Sequence, residues 1–271
     1  QAHDAQQHVG NQQQRADDAP VDHTDASRDG EQVERAPGAL LGKIVSIGSY
    51  SDFGTSPQRY EGAEIHPTVS FLLSREKWRL EAVIPLSGGL YMNSFLDTDP
   101  SALALMPEIR VDALWQVWGG GRWRVLAGGG TAEMFDLRYY PDLGNNSVGT
   151  SNFLMLFAGG RGEMRVGPFV FHTQLMFSPV GYVYRPGFAY IANYDHTMQD
   201  PVGDHFEGHH GYVVGAGALR WETGATLFIR HGNSIGVSYR WHHLTSRTSA
   251  ACPYRFDRAS HAFIFTLNVG L

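Results

Sequence analysis

Hydrophobic and polar residues alternate along most of the chain after residue 38, most sharply near the C-terminus. There Ile235, Val237, Tyr239, Trp241, His243 and Thr245 fall on one face, and Gly236, Ser238, Arg240, His242, Leu244 and Ser246 on the other. In the final segment Phe263, Phe265, Leu267, Val269 and Leu271 oppose Ala262, Ile264, Thr266, Asn268 and Gly270. A two-residue period in β-branched and aromatic residues marks strands with two different environments. The same period places Ile65, Pro67, Val69, Phe71 and Leu73 on one face, as it does Trp78, Leu80, Ala82, Ile84 and Leu86. It recurs in Ile109, Val111, Ala113, Trp115 and Val117, in Phe169, Phe171, Thr173, Leu175 and Phe177, and in Ala225, Leu227 and Ile229. Ten strands are predicted, at about 39–53, 65–74, 77–92, 108–118, 122–139, 150–161, 165–185, 211–230, 234–247 and 260–271; the first, fifth and sixth alternate weakly. The chain is all-β.

The connections alternate in length. SREK, GGG, GRGEM and HGNS are tight, whereas 54–64, 93–107, 140–149, 186–210 and 248–259 are long and rich in Pro, Asp, Asn, Gly and Tyr. Short turns at one end and long loops at the other, with a final strand running to the last residue, resemble the layout of bacterial outer-membrane β-barrels. That resemblance implies a closed antiparallel transmembrane barrel over 39–271, with first and last strands paired because hydrocarbon tolerates no open sheet edge. It also implies a cleaved signal peptide, short turns and N-terminal tail in the periplasm, and long loops outside the cell.

The faces opposite the apolar ones carry Arg79, Glu81, Arg110, Asp112, Arg220, Glu222, Arg230, Arg240 and His242. A charge facing lipid near the midplane costs about 2–4 kcal/mol, so these point into the lumen. Ten strands enclose a narrow space, and long side chains pairing across it predict a plugged, rigid barrel over an open channel. Tyr91, Tyr139, Tyr140, Tyr182, Tyr184, Tyr190 and Tyr212 near the long loops, with Trp78 and Trp123 beside short turns, are expected to form interfacial girdles.

Composition narrows the picture further. With 42% hydrophobic and 12% aromatic residues and 32 glycines in 271, the chain suits one barrel-sized domain, and no apolar run is long enough for a membrane helix. Residues 1–38 hold eight carboxylates against Arg15, Arg28 and Arg35, with seven Gln and no aromatic residue. Such a segment cannot bury enough to offset its ordering entropy. It is expected to be a disordered acidic tail in the periplasm that engages an envelope protein partner. Nothing is basic enough for nucleic acid. The single Cys252 forms no intramolecular disulfide. The His196, His205, His209 and His210 cluster lies among carboxylates that suit Zn²⁺ or Cu²⁺, but its spacing matches no ligand motif, so neither metal nor cofactor is expected.

The stretch YRWHHLTSRT, followed by a Pro-containing loop and a last amphipathic strand, resembles the C-terminal end of PagL-type lipid A deacylases. The likeness covers Tyr239 to about Phe263. It implies acyl-ester hydrolysis of lipopolysaccharide at the outer leaflet, with His243 as base, Thr245 where the family has a Ser nucleophile, and Asp257 as orienting acid. Family members have eight strands in a shorter chain. Independently, alternation puts His243 and Thr245 on the lipid face, and pairing Ile235 with Leu271 would set Thr245 opposite His261 near the outer rim. Ser246 after a local bulge, and His261 as orienting group, are alternatives. The other reading is a non-enzymatic barrel: an assembly subunit, an anchor or a narrow channel.

Overall fold

A computed structural model describes residues 38–52, 56–75, 77–93, 101–141, 148–184, 213–229, 233–246 and 255–270. Ten strands, β1 (Gly38–Asp52), β2 (Ser56–Ser74), β3 (Trp78–Met92), β4 (Ala102–Gly120), β5 (Trp123–Tyr139), β6 (Val148–Val166), β7 (Phe169–Tyr184), β8 (Val213–Phe228), β9 (Ser234–Ser246) and β10 (Phe256–Gly270), pair antiparallel with their chain neighbours. β1 pairs with β10 from Gly38–Gly270 to Asp52–Phe256 and closes the barrel.

The strands reach further toward the long-loop end than alternation indicated. β2 begins at Ser56, not 65, β4 at Ala102, not 108, and β10 at Phe256, not 260. Segment 160–164, expected as a turn, lies inside β6, where Gly160 pairs with both Ala127 and Leu175. The true turn is Gly167–Pro168, and Gly167, like Gly121 after β4, has the positive φ (+59° and +58°) that only glycine adopts readily.

The register fixes the barrel's shape. Hydrogen-bonded partners followed once around run Trp78, Trp115, Ala127, Gly160, Leu175, Trp221, Trp241, His261, Ile47, Ala63 and Leu90, returning to β3 twelve residues above the start. Ten strands with this stagger tilt by about 40° from the axis. Each residue then rises ~2.5 Å along the axis, so a ~25 Å apolar belt spans roughly ten residues of every strand.

That belt is present. The outward rows carry exposed Val69, Phe71, Ile84, Leu86, Ile109, Trp115, Leu156, Phe171, Leu175, Phe177, Val237, Phe263 and Phe265, with Trp118, Trp123 and Phe169 at the short-turn border. Water-soluble monomers rarely expose a contiguous apolar band of this kind. The border is uneven at the other end. On β9, β10, β1 and β2 the belt gives way to His243, Asp257, Ser49 and Glu61, whereas on β3–β6 it continues to Met92, Leu103, Tyr139 and Val148.

The lumen holds the charges. Arg79 meets Glu81 (3.1 Å) and Glu163 (3.7 Å), Arg124 and Arg161 also bond Glu163 (2.7 and 2.5 Å), and Arg240 bonds Glu222 (2.7 Å). Asp112 on β4 receives Arg220 from β8 across the lumen (2.6 Å) beside Arg110 (3.3 Å). Arg258 bonds Glu64 (2.6 Å) and reaches Met134 Sδ on the far wall (3.4 Å). Charges removed from water persist only when paired in this way. Arg230 lies outside the described residues.

Toward the long loops the filling becomes aromatic. Tyr50, Tyr60, Tyr91, Tyr140, Phe153 and Phe256 are all buried. Tyr50 stacks on Tyr60 at 5.1 Å, and the Arg138 guanidinium lies 3.7 Å over the Tyr50 ring and 4.6 Å over the Phe256 ring. Tyr91 and Tyr140 therefore plug the lumen instead of joining a girdle, because each shares strand parity with inward charges, Arg79 and Glu81 in one case and Arg138 in the other. Tyr139 and Tyr182 do face outward, while the side chains of Tyr184, Tyr190 and Tyr212 lie outside the described residues.

One close approach in the wall is testable. A Cβ added at Gly159 would lie 2.0 Å from the Leu175 carbonyl oxygen, whereas at Gly162 it would meet nothing nearer than 3.8 Å. Gly159→Ala is expected to destabilise the barrel by about 1–3 kcal/mol, the usual range for overpacking, with Gly162→Ala close to neutral. Urea unfolding in lipid vesicles reads the difference. Equal midpoints would show that the wall yields at Gly159.

Candidate outward-facing site on the C-terminal hairpin

The outward row of β9 runs from Ile235 through Tyr239 and Trp241 to His243 and Thr245, and that of β10 from Leu267 and Phe263 through His261 to Asp257. The lower parts belong to the apolar belt and the upper parts cross its border. A hydrocarbon-exposed imidazole or carboxylate without a partner is costly, so this border is where such groups are tolerated.

Register decides which of them meet. Ile235 pairs with Leu267, not Leu271; consequently Thr245 stands opposite Asp257, His243 opposite Ala259, and Trp241 opposite His261. The four-residue difference arises because β10 starts at Phe256, which shortens the loop. Thr245 and Asp257 are direct cross-strand neighbours, with Cβ atoms about 4.5–5.5 Å apart in such pairs. His243 is two residues along the same face, ~6.6 Å from Thr245 by strand rise. The structure thus gathers the three expected groups into one patch.

Their present bonds are separate. The His243 ring lies parallel to Trp241 (centroids 6.1 Å, planes 5° apart). Asp257 Oδ2 is 2.5 Å from Arg255 Nε, and Asp257 Oδ1 is buried without a hydrogen-bond partner among the described residues. No hydrogen bond joins His243, Thr245 and Asp257 among the described residues. His261 Nδ1 lies 2.6 Å from the Tyr239 hydroxyl, whose ring packs edge-on against Trp221. It therefore has its own partner and is not opposite Thr245.

Ser246 is excluded from this face. It is lumenal and fully buried, the β9–β10 ladder has no bulge beside it, and its hydroxyl accepts the Phe256 N–H at 3.1 Å. The His196, His205, His209 and His210 cluster, Cys252 and the acidic tail lie outside the described residues. Among the described residues no group of three or more His, Cys, Asp or Glu is placed to hold a metal ion.

Sequence reasoning missed two arrangements. One is the Arg255 guanidinium on Asp257, carried by a residue read as loop. The other is lumenal: Ser87, His66 and Glu64, from β3 and β2, are hydrogen-bonded in series. Shared inward parity was its only signal, and Glu64 fell in a segment read as loop.

No family model matches the chain, and no curated protein matches its sequence. Solved structures do. The outer membrane protease OmpT from Escherichia coli superposes with a TM-score of 0.50 at 9% identity, over 87% of this chain and 97% of that one. The translocator domain of the autotransporter NalP from Neisseria meningitidis gives 0.42 at 9% identity over 88% and 91%, and the β-domain of the Bordetella autotransporter BrkA 0.42 at 9% over 87% and 100%. At such identities the likeness concerns the fold alone. The chain has the closed antiparallel fold of bacterial outer-membrane β-barrels.

Proposed function

We propose that the chain is an integral protein of the bacterial outer membrane that works at its lipid-facing surface and not through its lumen. Among the described residues, ion pairs cross the barrel and aromatic rings pack above them, which supports a filled lumen over a channel. The chemistry we assign to the outer face is hydrolysis of an acyl ester of lipopolysaccharide, as the PagL-like hairpin implies. One observation carries it: the cross-strand pairing of Thr245 with Asp257, with His243 next on the same face at the border of the apolar belt. In this reading His243 accepts the Thr245 hydroxyl proton as the oxygen attacks the acyl carbonyl, and Asp257 fixes the imidazole tautomer. Short turns face the periplasm and long loops the exterior.

A second reading is favoured by the Arg255–Asp257 ion pair, which engages the carboxylate away from His243. There the barrel is a non-enzymatic anchor or assembly subunit, and residues 1–38 engage an envelope partner. Mass spectrometry of lipid A from cells with and without the protein separates the two, because only hydrolysis removes an acyl chain. An unchanged profile would eliminate the enzymatic reading. The closed lumen is tested by itself in planar bilayers, where the full chain should show no steady conductance; sustained ohmic current would contradict it.

A further inference from the structure

We propose a second nucleophilic site, Ser87–His66–Glu64, built into the wall between β2 and β3 and reached from the hydrocarbon side. The Ser87 hydroxyl is hydrogen-bonded to His66 Nδ1, and His66 Nε2 lies 2.9 Å from Glu64 Oε2. With Nε2 protonated toward the carboxylate, Nδ1 accepts the serine proton, which is the nucleophile, base and orienting-acid order that acyl transfer needs. Glu64 is itself held in place. Arg258 Nη2 bonds its Oε2 at 2.6 Å, the Tyr91 hydroxyl donates to Oε1, and the side chain is fully buried.

Ser87 is only 4% exposed and faces inward, and the route assigned to the substrate runs through the wall beside it. Main-chain pairing is interrupted beside it. The β2–β3 ladder runs from Ile65–Gly88 to Thr68–Pro85 and passes over His66 and Pro67 opposite Leu86 and Ser87. The β3–β4 ladder passes over Ile84 and Pro85, and the β4–β5 ladder over Met106 and Pro107. A proline has no N–H to give a ladder, so three prolines on adjacent strands leave a staggered seam of missing main-chain bonds. Outside this seam lie Ile65, Val69, Ile84 and Leu86, all about half exposed on the apolar belt. A substrate entering there comes from the bilayer: an ester of a long aliphatic acid.

The step balances without a cofactor. Ser87 Oγ bonds the acyl carbon as its proton passes to His66 Nδ1; the ester C–O bond breaks, and the leaving alkoxide takes that proton. Water then repeats the sequence on the acyl-serine and releases the fatty acid.

The probe is an alkyl fluorophosphonate with a ten-carbon chain, which forms a Ser–phosphorus bond and loses fluoride. The full chain in phosphatidylcholine vesicles, with folding confirmed by heat-modifiable migration, should acquire an adduct at Ser87, which peptide mass spectrometry reads separately from any at Thr245. Ser87→Ala should lose that adduct, His66→Gln should form it at least tenfold more slowly, and Gly162→Ala, a wall substitution away from both sites, should form it as the parent does. A disulfide from Pro67→Cys with Leu86→Cys, staple of the seam, should block the adduct until reduced. No Ser87 adduct on folded protein, or an equal rate in His66→Gln, overturns the site as nucleophilic and leaves the network a packing element. A rate indifferent to the disulfide overturns the route through the seam.

Discussion

Asp112→Ala should be the most destabilising single substitution in the lumen, lowering stability by about 3–5 kcal/mol, the cost of breaking a buried ion pair from one side. Asp112 sits 3% exposed between Arg220, 2.6 Å away from the far wall, and Arg110, 3.3 Å away on its own strand. Removing it strands Arg220 without its carboxylate in a space where water cannot compensate, while Arg110 keeps Glu108 at 3.9 Å. Adding Arg220→Met should recover most of the loss, since a fully apolar replacement leaves no orphan charge. The double-mutant cycle measured by urea unfolding in vesicles should therefore show strong non-additivity. A single-mutant loss below ~1 kcal/mol, the range of exposed pairs, would mean that Asp112 is solvated and the lumen wet.

The second large effect concerns chemistry. His243→Ala should reduce acyl-ester release about 10²–10⁴-fold, the contribution of a positioned general base, with heat-modifiable migration unchanged. Thr245→Val removes the hydroxyl at nearly constant shape and should do the same. Thr245→Ser should raise the rate by relieving crowding at the nucleophile. The Arg255–Asp257 ion pair adds a sharper expectation. If Asp257 orients His243, Arg255→Ala releases the carboxylate and increases turnover, whereas Asp257→Asn lowers it. Release measured with lipopolysaccharide in micelles decides it, and a rate indifferent to His243 would leave the non-enzymatic barrel.

The fold was readable where the belt runs, because lipid on one side and a charged lumen on the other impose a strict two-residue period. It faded above the belt, where the outward residues Arg59 and Glu61 of β2 and Asp257 of β10 are as polar as a loop. On β4 the failure had the opposite cause: Ala102, Ala104 and Met106 inward and Leu103 and Leu105 outward are apolar on both faces. Gly160 and Gly162 read as turn residues but lie within β6, Gly160 where a Cβ would come 2.9 Å from the Leu126 carbonyl oxygen. The place of Tyr91 and Tyr140 was recoverable by counting parity from Arg79 and Arg138, and proximity to a loop misled. His243, Thr245 and Asp257 were individually visible, yet their meeting depends on a register that alternation alone cannot fix, since any even shift preserves the faces. The Ser87–His66–Glu64 series was invisible because no local motif links residues twenty-odd positions apart on two strands.

The seam that closes the barrel has a consequence for how the molecule comes to exist. Gly38 pairs with Gly270, and Arg258 is bonded to Glu64 across 194 positions, so the first strand has no partner on one side until the last has been made. Contacts this distant along the chain are slow to form, because the loop they close must be ordered first. Until then the free edge of β1 is a template for any other strand. The chain therefore cannot acquire its structure progressively from the N-terminus. It must be kept apart from its neighbours until its C-terminal strand arrives, and losing that strand forfeits the closure of the whole wall.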